Sequence, residues 1–594
     1  MGGITINTET TSIVILTFNQ LDYTKLCIES IRQYTAEGSY ELIVVDNHST
    51  DGTVDWLSEQ TDIRTIFNSQ NLGFPKGCNQ GMAIATGDTI LLLNNDIIAT
   101  HNWLTNLMSC LYSSSDIGAV GPVTNNCSNY QVVPASYQSA NELHNFACRH
   151  NTSLPELWEE RLKLVGFCLL IKREVINQIG FLDEVFTPGN FEDDDYSVRI
   201  RRAGYRLMLC RDTYIHHFGS TSFREKQEEY VQLLEQNCRK FEAKWGYNPH
   251  HTLAIRHDII DLIDDSPDAG MRVLEVGCAC GGTLLQIKNR YKKAQLYGIE
   301  SNLNAAEDAK NFAQILVADI EQTKLDYPQD FFDYIILADV LGQLRNPWTI
   351  LNQLYQYLAP GGKILASIPN VMHFTIIRNL LHGRWMYENS GILARTNLRF
   401  FTLSEINQLF SGAGYTISDG KSSILTGSEE DAKFVDNLVN LTGNPALRNQ
   451  FQIFQYLVKA VKSGEQNRQI PDISEINNTE KSTKSEVMRN LTFLLRRIEQ
   501  DIQRSENIAN LVCQLNDGTI AVEDILEAVS RSIIKKAEVL YFISRDCFEE
   551  KMLSHSSDLL KHAYQLTAYN PYTACSFTQN ILNLMQEILE TTHE

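Results

Sequence analysis

The sequence predicts a multidomain α/β protein, in which two consecutive α/β modules precede an all-α region. Three observations support this prediction. Strand-like runs alternate with helix-like runs from residue 11 to about residue 247, and the same alternation resumes from 271 to about 462. From about residue 487 onward, apolar residues recur only with helical spacing. Alternating strands and helices are typical of doubly wound, mostly parallel sheets, and 594 residues are too many for one hydrophobic core.

Four parts of the chain follow from these patterns: a first α/β domain, a second α/β domain, a polar linker and a helical domain. Their predicted bounds are 1–248, 249–462, 463–487 and 488–594. The linker is predicted because its residues are polar and few of them are apolar. Residues 120–165 of the first domain are less regular than their surroundings.

The first module contains four strand-like runs that end in polar residues. They are SIVILTF (12–18), ELIVVD (41–46), IRTIFN (63–68) and DTILLLNND (88–96). The segment LDYTKLCIESIRQY (21–34) has the apolar spacing of a helix. Ligands of open α/β sheets sit beyond the carboxyl ends of the strands, so these polar ends are the candidate binding residues. Each one alone is more often a simple turn residue.

The net charge and the hydropathy of the chain restrict its possible binding partners and its location. The formal net charge of -21 argues against non-specific binding to nucleic acid or to anionic lipid, which both need dense Lys and Arg. No apolar run reaches the roughly 18 residues that span a bilayer, and the polar N-terminus lacks the pattern of a signal peptide. The thirteen cysteines are scattered and are expected to be reduced thiols. We therefore expect a cytoplasmic protein with no integral membrane segment and no nucleic-acid partner.

Taken together and in order, the strand-end residues resemble the family 2 glycosyltransferases, especially their rhamnosyltransferase-like branch, over about residues 11–247. The resemblance implies a GT-A nucleotide-diphospho-sugar transferase fold and a nucleotide-sugar donor. The residues that it implies at the donor are Thr17, Phe18, Asn19, Asp46, Asn71, Gly73, Asn79, Asn94 and Asn95. The metal motif of the family has two acids around one residue. Here Asn94 stands in place of the first acid, so Asp96 would supply the carboxylate for Mg²⁺ or Mn²⁺.

The second half of this module contains an acidic run and a histidine pair. The run from Phe191 to Arg199 resembles the acidic motif of the family, which implies that Asp193 is the general base and that Glu192 shapes the site. The alternative is an acidic helix N-terminus, which the helix dipole favours. His216 and His217 resemble the histidine element that completes the metal or phosphate site. Either ring could be the ligand, and we prefer His217.

The second module begins with a Gly-rich turn after a strand. In its order of motifs it resembles the class I S-adenosylmethionine-dependent methyltransferases, with a Rossmann-like fold, over about residues 270–462. The resemblance implies that Glu275, Gly277 and Gly281 lie against the methionine part of S-adenosylmethionine. It also implies Glu300 at the ribose, Asp319 near the adenine, and Asp339 at the end of the fourth strand.

The acceptor side of this module departs from related sequences. Related chains carry Val-Leu-Glu-His after the fourth strand, where this chain has Val-Leu-Gly342-Gln343. They also carry an Asp and a His where this chain has Ala394 and Asn397. Methyl transfer to oxygen usually needs a base near the hydroxyl. The module is therefore either an active methyltransferase or a scaffold and substrate-docking domain.

The C-terminal region shows no cluster of catalytic residue types. One segment (558–585) resembles a helix–turn–helix unit of tetratricopeptide type, with Asn570-Pro571 as its turn. Such helical repeats often bind other proteins, so we expect protein–protein contacts from these C-terminal helices.

The expected function is inverting, metal-assisted transfer of a hexosyl or deoxyhexosyl group from a nucleoside-diphosphate donor. The acceptor would be a hydroxyl of a bacterial surface glycan or of a surface protein such as flagellin. Two alternatives stay open at this point. One is a bifunctional glycosyltransferase and sugar O-methyltransferase that uses S-adenosylmethionine. The other is a non-catalytic scaffold that organises glycosylation enzymes.

Overall fold

The computed structural model describes most of the chain up to residue 462 and parts of the C-terminal region. The described residues are 9–219, 227–424, 427–462, 491, 495, 508–509, 511–512, 514–515, 520–532, 536–549, 556–559, 561 and 584. The chain divides into two compact units, residues 1–472 and 473–594. The larger unit contains two α/β lobes, each built on its own sheet. We call them the first lobe (the described residues up to 248) and the second lobe (249–462).

The first lobe is built on an eight-stranded sheet with the order β3-β2-β1-β4-β8-β6-β9-β7. Its strands are β1 Thr11–Thr17, β2 Tyr40–Asp46, β3 Ile63–Phe67, β4 Thr89–Asn94, β6 Ile117–Val123, β7 Trp158–Arg161, β8 Cys168–Lys172 and β9 Arg206–Tyr214; a separate two-stranded ribbon pairs β5 Ile97–Ile98 with β10 His216–His217. The helices are α1 Leu21–Tyr34, α2 Thr53–Ser58, α3 Phe74–Ile84, α4 Trp103–Leu111, α5 Ala140–His150, α6 Arg173–Ile179, α7 Glu192–Arg202, α8 Gln227–Trp245, α9 Pro249–Thr252 and α10 His257–Ile260, the last two lying at the start of the second lobe. Short 3-10 turns cover Pro155–Leu157 and Glu184–Phe186.

This sheet is mostly parallel, as the sequence predicts, but two of its eight strands run in the opposite direction. Strands β3, β2, β1 and β4 are parallel, but β8 runs antiparallel to both β4 and β6, and β7 runs antiparallel to β9. The apolar pattern of a buried strand is the same in both directions, so the sequence does not distinguish them.

Both faces of the first sheet are buried. Along β1, Ile13 and Ile15 pack into the cluster that contains residues of α1 and α4, while Val14 packs on the opposite side with residues of α3. Helices thus cover both faces, as in other doubly wound proteins. The polar residues are left at the carboxyl ends of the strands, where they form the site described below.

The second lobe has a seven-stranded sheet with the order β13-β12-β11-β14-β15-β17-β16. Its strands are β11 Arg272–Val276, β12 Gln295–Glu300, β13 Gln314–Val317, β14 Phe332–Ala338, β15 Leu358–Pro369, β16 Tyr415–Ile424 and β17 Ile453–Lys462. Its further helices are α11 Gly282–Arg290, α12 Leu303–Ala309, α13 Pro347–Tyr355, α14 Phe374–Leu381, α15 Leu403–Gly412, α16 Glu429–Thr442 and α17 Leu447–Gln452. Five strands are parallel, and β17 lies antiparallel between β15 and β16.

In the smaller unit, two helices have described bounds, α18 Val522–Ser532 and α19 Lys536–Glu549. Buried apolar residues from Leu491 to Leu584 form one cluster there. The predicted linker (463–487) and the predicted turn at Asn570-Pro571 lie outside the described residues. The prediction of a tetratricopeptide-like domain therefore stays a prediction.

The described part of the chain can be compared with two predictions, the lack of a membrane-spanning segment and the reduced state of the cysteines. None of its helices combines the length and the apolar character that crossing a membrane requires. Eleven of the thirteen cysteines are described, and each of these has a free thiol.

Candidate active site

The two-stranded ribbon brings Asp96 and His217 together. Strand β4 ends at Asn94, and the chain turns through Asp96 into β5. In the ribbon, His217 pairs with Ile97, and the Phe218 N–H donates to the Asp96 carbonyl at 3.0 Å. The register therefore places the two side chains beside each other, with 3.2 Å between His217 Nε2 and Asp96 Oδ1. Both residues are buried.

The orientation of the His217 ring suits a cation ligand. Its Nδ1 lies 2.6 Å from the Asn126 carbonyl oxygen, which can only accept, so the neutral ring carries its proton on Nδ1. The Nε2 lone pair then faces the Asp96 carboxylate, and two acceptors this close need a proton or a cation between them. A histidine that donates its other N–H to a backbone carbonyl is the usual arrangement of metal ligands. Across the described residues, no group of three or more His, Cys, Asp or Glu could hold a metal, so this pair would supply only two ligands.

His216 lies on the other side of the ribbon. Successive side chains of a strand point in opposite directions, and His216 Nδ1 lies 2.5 Å from Tyr137 Oη. The same hydroxyl lies 2.5 Å from Tyr214 Oη. Burial and the neighbouring His217 lower the pKa of His216 to about 4. The structure therefore places only His217 against Asp96 and places His216 in a hydrogen-bonded network with two tyrosines.

The acidic run forms the first turn of α7, and its members have different surroundings. Helix α7 begins after Phe191, whose side chain makes no capping hydrogen bond. Asp193 is half-buried; its Oδ2 accepts the Gly166 N–H at 3.0 Å and its Oδ1 accepts the N–H of Asp194 at 2.9 Å. Asp194 is buried and pairs with Lys163 Nζ at 2.6 Å. Asp193 is thus oriented from two sides while its carboxylate stays partly accessible.

The other two acids are more enclosed. Asp195 accepts from Arg199 Nε at 2.9 Å and from Trp245 Nε1 at 3.0 Å, so it anchors α7 within the lobe. Glu192 is buried, and its Oε2 atom has no hydrogen-bond partner. One oxygen atom of this buried carboxyl group is therefore left without a hydrogen-bond partner in the described structure.

Burial shifts the pKa values of this cluster. Burial, and next the charge of Asp193, raise the pKa of the Glu192 carboxyl well above its ordinary value. Burial also raises the pKa of Asp194 to about 6, although Lys163 opposes the shift. For Lys163, burial lowers the pKa, but the neighbouring carboxylates outweigh it and hold the pKa above its ordinary value. Burial therefore favours the protonated form of the Glu192 carboxyl.

Two consecutive residues connect the acidic helix with the Asp96–His217 pair. Gly166 donates its N–H to Asp193, as described above. The ring of Phe167 stacks on His217 with 5.1 Å between centroids and 19° between planes, and its carbonyl accepts the Asn94 N–H at 2.9 Å. Asp193 is therefore linked to His217 through the consecutive residues Gly166 and Phe167. Sequence analysis did not single out Gly166, Phe167 or Lys163, because no local pattern marks them.

Asp46 offers an unused acceptor at the end of β2. The residue is fully buried; its Oδ1 accepts the Ser49 N–H at 3.0 Å, and its Oδ2 has no hydrogen-bond partner. Phe18, directly after β1, is 41% exposed. Thr17 is buried and shares a hydrogen bond with Thr24 at 2.9 Å.

Asn19 and Asn95 have polar atoms that bind protein groups. Asn95 Nδ2 donates to Thr24 Oγ1 at 3.0 Å, and Asn19 Oδ1 accepts the Thr50 N–H at 2.8 Å. The same residue Asn95 also reaches Thr17 Oγ1 at 3.3 Å. These amides join the loops after β1, β2 and β4, which gives them a positioning role beside the predicted role in donor binding.

Asn79 and Gly73 contact the loop that precedes α7, and Asn71 holds the turn that contains Gly73. Asn71 Oδ1 accepts the Gly73 N–H at 2.9 Å, and Asn79 both donates to the Leu182 carbonyl and accepts the Leu182 N–H, each at 2.9 Å. Gly73 has a φ of 82°, and a Cβ there would lie 2.8 Å from Pro188 Cα. These residues position the approach to the acidic helix, and no donor contact follows from their geometry. Loops need such partners because their backbone polar groups are not paired in a ladder.

A second cleft lies at the carboxyl ends of β11, β12 and β14. Glu275 is buried, its Oε2 has no hydrogen-bond partner, and burial raises the pKa of its carboxyl to about 8. Glu300 accepts the Ala279 N–H at 2.8 Å and the Asn302 N–H at 2.7 Å, one on each oxygen. The unpaired atom of Glu275 fits a ligand that brings a hydrogen-bond donor, as the ammonium group of S-adenosylmethionine would.

Of the remaining predicted residues of this cleft, two are glycines with left-handed backbone and one is an exposed acid. Gly277 and Gly281 both have left-handed φ values, 68° and 80°, and a Cβ on Gly281 would lie 2.8 Å from the Phe312 ring. Asp319 is exposed and accepts from the Glu321 N–H at 2.9 Å. Gly281 therefore serves the packing of the turn, and Asp319 stabilises its own turn.

Sequence analysis missed Arg256, which lies beside Asp339. Its guanidinium forms an ion pair with Asp339 and donates two hydrogen bonds to Asp258, at 2.9 and 2.8 Å. Asp339 also accepts from Ser367 Oγ at 2.9 Å. No motif surrounds Arg256 in the sequence, and only the tertiary structure brings it to the cleft.

The neutral positions on the acceptor side lie against each other. The Gly342 carbonyl accepts the N–H groups of Leu398 and Arg399, at 2.8 and 2.9 Å. A Cβ on Gly342 would lie 3.2 Å from Asn397 Oδ1. The two departures that the sequence shows are therefore neighbours in space.

Comparison with known proteins assigns both lobes. Residues 12–180 match the model of glycosyl transferase family 2, and residues 249–419 match a methyltransferase domain. The chain therefore has a GT-A-like first lobe and a Rossmann-like, methyltransferase-type second lobe. The predicted rhamnosyltransferase-like subtype is a finer statement and stays a proposal.

Similar proteins include two glycosyltransferases and one further protein. The glycosyltransferase YfnE of Bacillus subtilis is 33% identical over 279 residues, covering 39% of this chain and 70% of YfnE. The low-salt glycan biosynthesis hexosyltransferase Agl10 of Haloferax volcanii is 27% identical over 209 residues, covering 33% of this chain and 66% of Agl10. The protein y4gI of Sinorhizobium fredii is 26% identical over 276 residues, which cover 42% of this chain but only 30% of y4gI. Through its first lobe, this chain belongs to the family 2 glycosyltransferases.

Proposed function

We propose that the first lobe transfers a hexosyl or deoxyhexosyl group from a nucleoside-diphosphate donor, with inversion, to a hydroxyl of a glycan. The observation that supports this proposal best is the chain of contacts from Asp193 through Gly166 and Phe167 to the Asp96–His217 pair. Agl10 is named as a hexosyltransferase of glycan biosynthesis, which agrees with a sugar acceptor. A bacterial surface glycan or a surface protein such as flagellin is the proposed acceptor class.

Asp193 would act as the general base. Inverting transfer needs one carboxylate that removes the proton of the acceptor hydroxyl as the sugar moves. The two backbone donors on Asp193 hold its carboxylate in one orientation, and its partial exposure leaves lone pairs for the hydroxyl. Burial favours the protonated form of Glu192, and in that form the side chain would neither compete for that proton nor repel the donor phosphates.

Asp96 and His217 would hold Mg²⁺ or Mn²⁺, which when bound neutralises the charge of the leaving diphosphate. Asp46 would accept a hydrogen bond from the base or ribose through its unused Oδ2. Phe18 offers an exposed ring at the same edge of the sheet, where a nucleobase could stack. Thr17, Asn19 and Asn94 would shape this donor pocket.

The test is a panel of nucleotide sugars with Mg²⁺ or Mn²⁺, read as released nucleotide in the presence of glycan acceptors. We expect Asp193→Asn to lower kcat at least about 100-fold because the amide cannot take the proton. Asp62→Asn, which alters an exposed ion pair with Arg32, is the matched acid-to-amide control and should change little. If the wild-type chain turns over no donor, the proposed function is wrong.

A second candidate function is methyl transfer by the second lobe. The match to a methyltransferase domain and the unpaired Oε2 of Glu275 favour it. S-Adenosylmethionine would supply the methyl group; Glu275 and Gly277 would face its methionine part, and Glu300 its ribose. The neutral Gly342 and Asn397 argue against a base for the acceptor hydroxyl. Calorimetric titration with S-adenosylmethionine, together with mass spectrometry of the product, separates an active enzyme from a binding or docking domain.

The C-terminal helices are proposed to contact a protein partner or to present the acceptor. A chain that ends before Val487 should then keep donor hydrolysis but lose transfer to its native acceptor. Full transfer by the shortened chain would contradict this role.

A further inference from the structure

The C-terminal end of the acidic helix α7 is held by the second lobe. Arg202, the last residue of α7, places its Nε 3.1 Å from Asp308 Oδ1, and its Nη2 donates to the Asn304 carbonyl at 3.1 Å. Asp308 and Asn304 belong to α12, a helix of the methyltransferase-type sheet. The contact therefore joins the helix that carries Asp193 to a different lobe.

Asp308 is the centre of this contact. Its side chain is fully buried, and its Oδ2 accepts the Tyr247 hydroxyl at 2.6 Å. Arg201 is also buried, all three of its guanidinium nitrogens lack a hydrogen-bond partner, and its Nη1 lies 3.6 Å from Asp308 Oδ1. Two arginines of α7 thus face one carboxylate. Burying a guanidinium without a counter-charge lowers the stability of the fold. The carboxylate of Asp308 supplies that counter-charge.

Helix α12 is itself fixed in place. The Asn302 side chain caps it by accepting the N–H groups of Asn304 and Ala305, and its Nδ2 donates to the Gly246 carbonyl at 2.9 Å. Asn302 follows Glu300, whose carboxylate accepts the Asn302 N–H. The carboxylate of Asp308 is therefore presented by a capped helix that is anchored on both lobes.

Arg202 is also linked to the acidic run through Trp245. The Arg202 guanidinium lies over the Trp245 ring, 4.7 Å from its centroid, and Trp245 Nε1 donates to Asp195 Oδ1 at 3.0 Å. Asp195 is two residues from Asp193 on the same helix. A shift of Arg202 would thus disturb a second anchor of α7.

We propose that Asp308 of the second lobe is a positioning residue for sugar transfer, because it fixes α7 and with it Glu192 and Asp193. This inference rests on the proposed function of Asp193. An α-helix of eleven residues is about 16 Å long and moves as a rigid body, so a slide or rotation at Arg202 displaces Asp193 from Gly166. The second lobe is then a working part of the transferase, whether or not it transfers methyl groups.

The test uses the full chain and compares wild type, Asp308→Asn, Arg202→Gln and the double variant. We expect each single variant to lower kcat about tenfold or more, with the donor KM changed less than about twofold, because misplacing a base affects the chemical step more than donor binding. The double variant should lose less than the two single losses combined, since the Arg202–Asp308 interaction is removed by both substitutions while each residue also has contacts of its own. Glu307→Gln is the matched control, because Glu307 lies next to Asp308 but is exposed and pairs only with Lys310 in the described contacts.

Hydrogen exchange of residues 192–202 gives a readout that does not depend on turnover. We expect faster exchange there in Asp308→Asn and Arg202→Gln than in wild type, and unchanged exchange in Glu307→Gln. If wild type turns over no donor, the proposed function fails, and hydrogen exchange alone decides on the positioning role. If Asp308→Asn does not fold, Arg202→Gln carries the test, since Arg202 is partly exposed. Unchanged exchange in the folded variants, unchanged kcat in an active chain, or additive losses in the double variant would each overturn the proposal.

Discussion

At the scale of single residues, nearby side chains of the same type have different surroundings. His217 faces Asp96 while His216 binds Tyr137, and Asp193 stays accessible while Asp195 is tied to Arg199. Composition and motif matching treat such neighbours as equivalent. Their surroundings, which depend on strand alternation and helix rotation, separate them.

The histidine pair provides a direct test of the metal proposal. We expect His217→Gln to raise the Mn²⁺ concentration for half-maximal transfer at least tenfold, because the variant removes a proposed ligand. His216→Gln is the matched control on the same strand, and we expect it to raise that concentration less than threefold. Equal effects in the two variants, measured by titrating Mn²⁺ against released nucleotide, would remove the distinction between the rings.

Glu275 predicts a pH dependence of stability. Burial raises the pKa of this carboxyl to about 8 from an ordinary value of 4.5. Between these values the folded state keeps a proton that the unfolded state has released, so the free energy of unfolding falls as pH rises. Glu275→Gln lacks this proton. We expect the stability of the variant relative to wild type to increase between pH 5 and pH 8, by on the order of 3 kcal/mol. Urea denaturation at both pH values measures it, and parallel pH profiles would contradict the buried, protonated state.

At the scale of elements, short segments decide the site. The ribbon of β5 and β10 has only two residues in each strand, yet its register sets the Asp96–His217 contact. The loop before α7 is held by Asn79 and Gly73 of the α3 region. These elements are too short for periodicity to predict them.

A substitution at Gly73 measures how much the close packing of the α3 turn against the loop before α7 contributes to stability. Its φ is 82°, and a Cβ would lie 2.8 Å from Pro188 Cα, which is backbone and cannot give way cheaply. We expect Gly73→Ala to cost about 2–4 kcal/mol of unfolding free energy and to lower kcat. Gly38→Ala is the matched control, because Gly38 has a φ of 81° and nothing within 4 Å of a Cβ. It should cost only the backbone strain, about 1 kcal/mol. Equal costs in chemical denaturation would show that packing against Pro188 is unimportant.

At the scale of the whole molecule, the two lobes of the larger unit share contacts away from both clefts. Asn289 of α11 accepts the Glu160 N–H at 3.0 Å and donates to the Glu160 carbonyl at 2.9 Å. One side chain therefore pairs with both backbone polar groups of Glu160 in β7, which would otherwise need water or another partner. Together with the Asp308 contact, this contact joins the two lobes.

The Asn289 contact predicts a change in how the lobes unfold. We expect Asn289→Ala to lower the free energy of unfolding by about 2 kcal/mol, because two hydrogen bonds to backbone are lost. Gln286→Ala, one turn earlier on α11, removes only a 3.4 Å hydrogen bond and is the control. Calorimetry should show a lower transition temperature for Asn289→Ala alone. The same temperature for both variants would contradict a contribution from this contact.

The sequence alone determined the α/β character of both lobes and the strands from β1 to β4, since these depend on local periodicity. The order of its strand-end motifs also showed the resemblance to the family 2 glycosyltransferases. It also pointed to Asp193 and Asp96, whose roles stay predictions. Only the tertiary structure decided the antiparallel course of β8, the separation of His216 from His217, and the places of Arg256 and Asp308. Those features depend on contacts between residues far apart in the chain, and no local pattern records which distant carboxylate a buried arginine will meet.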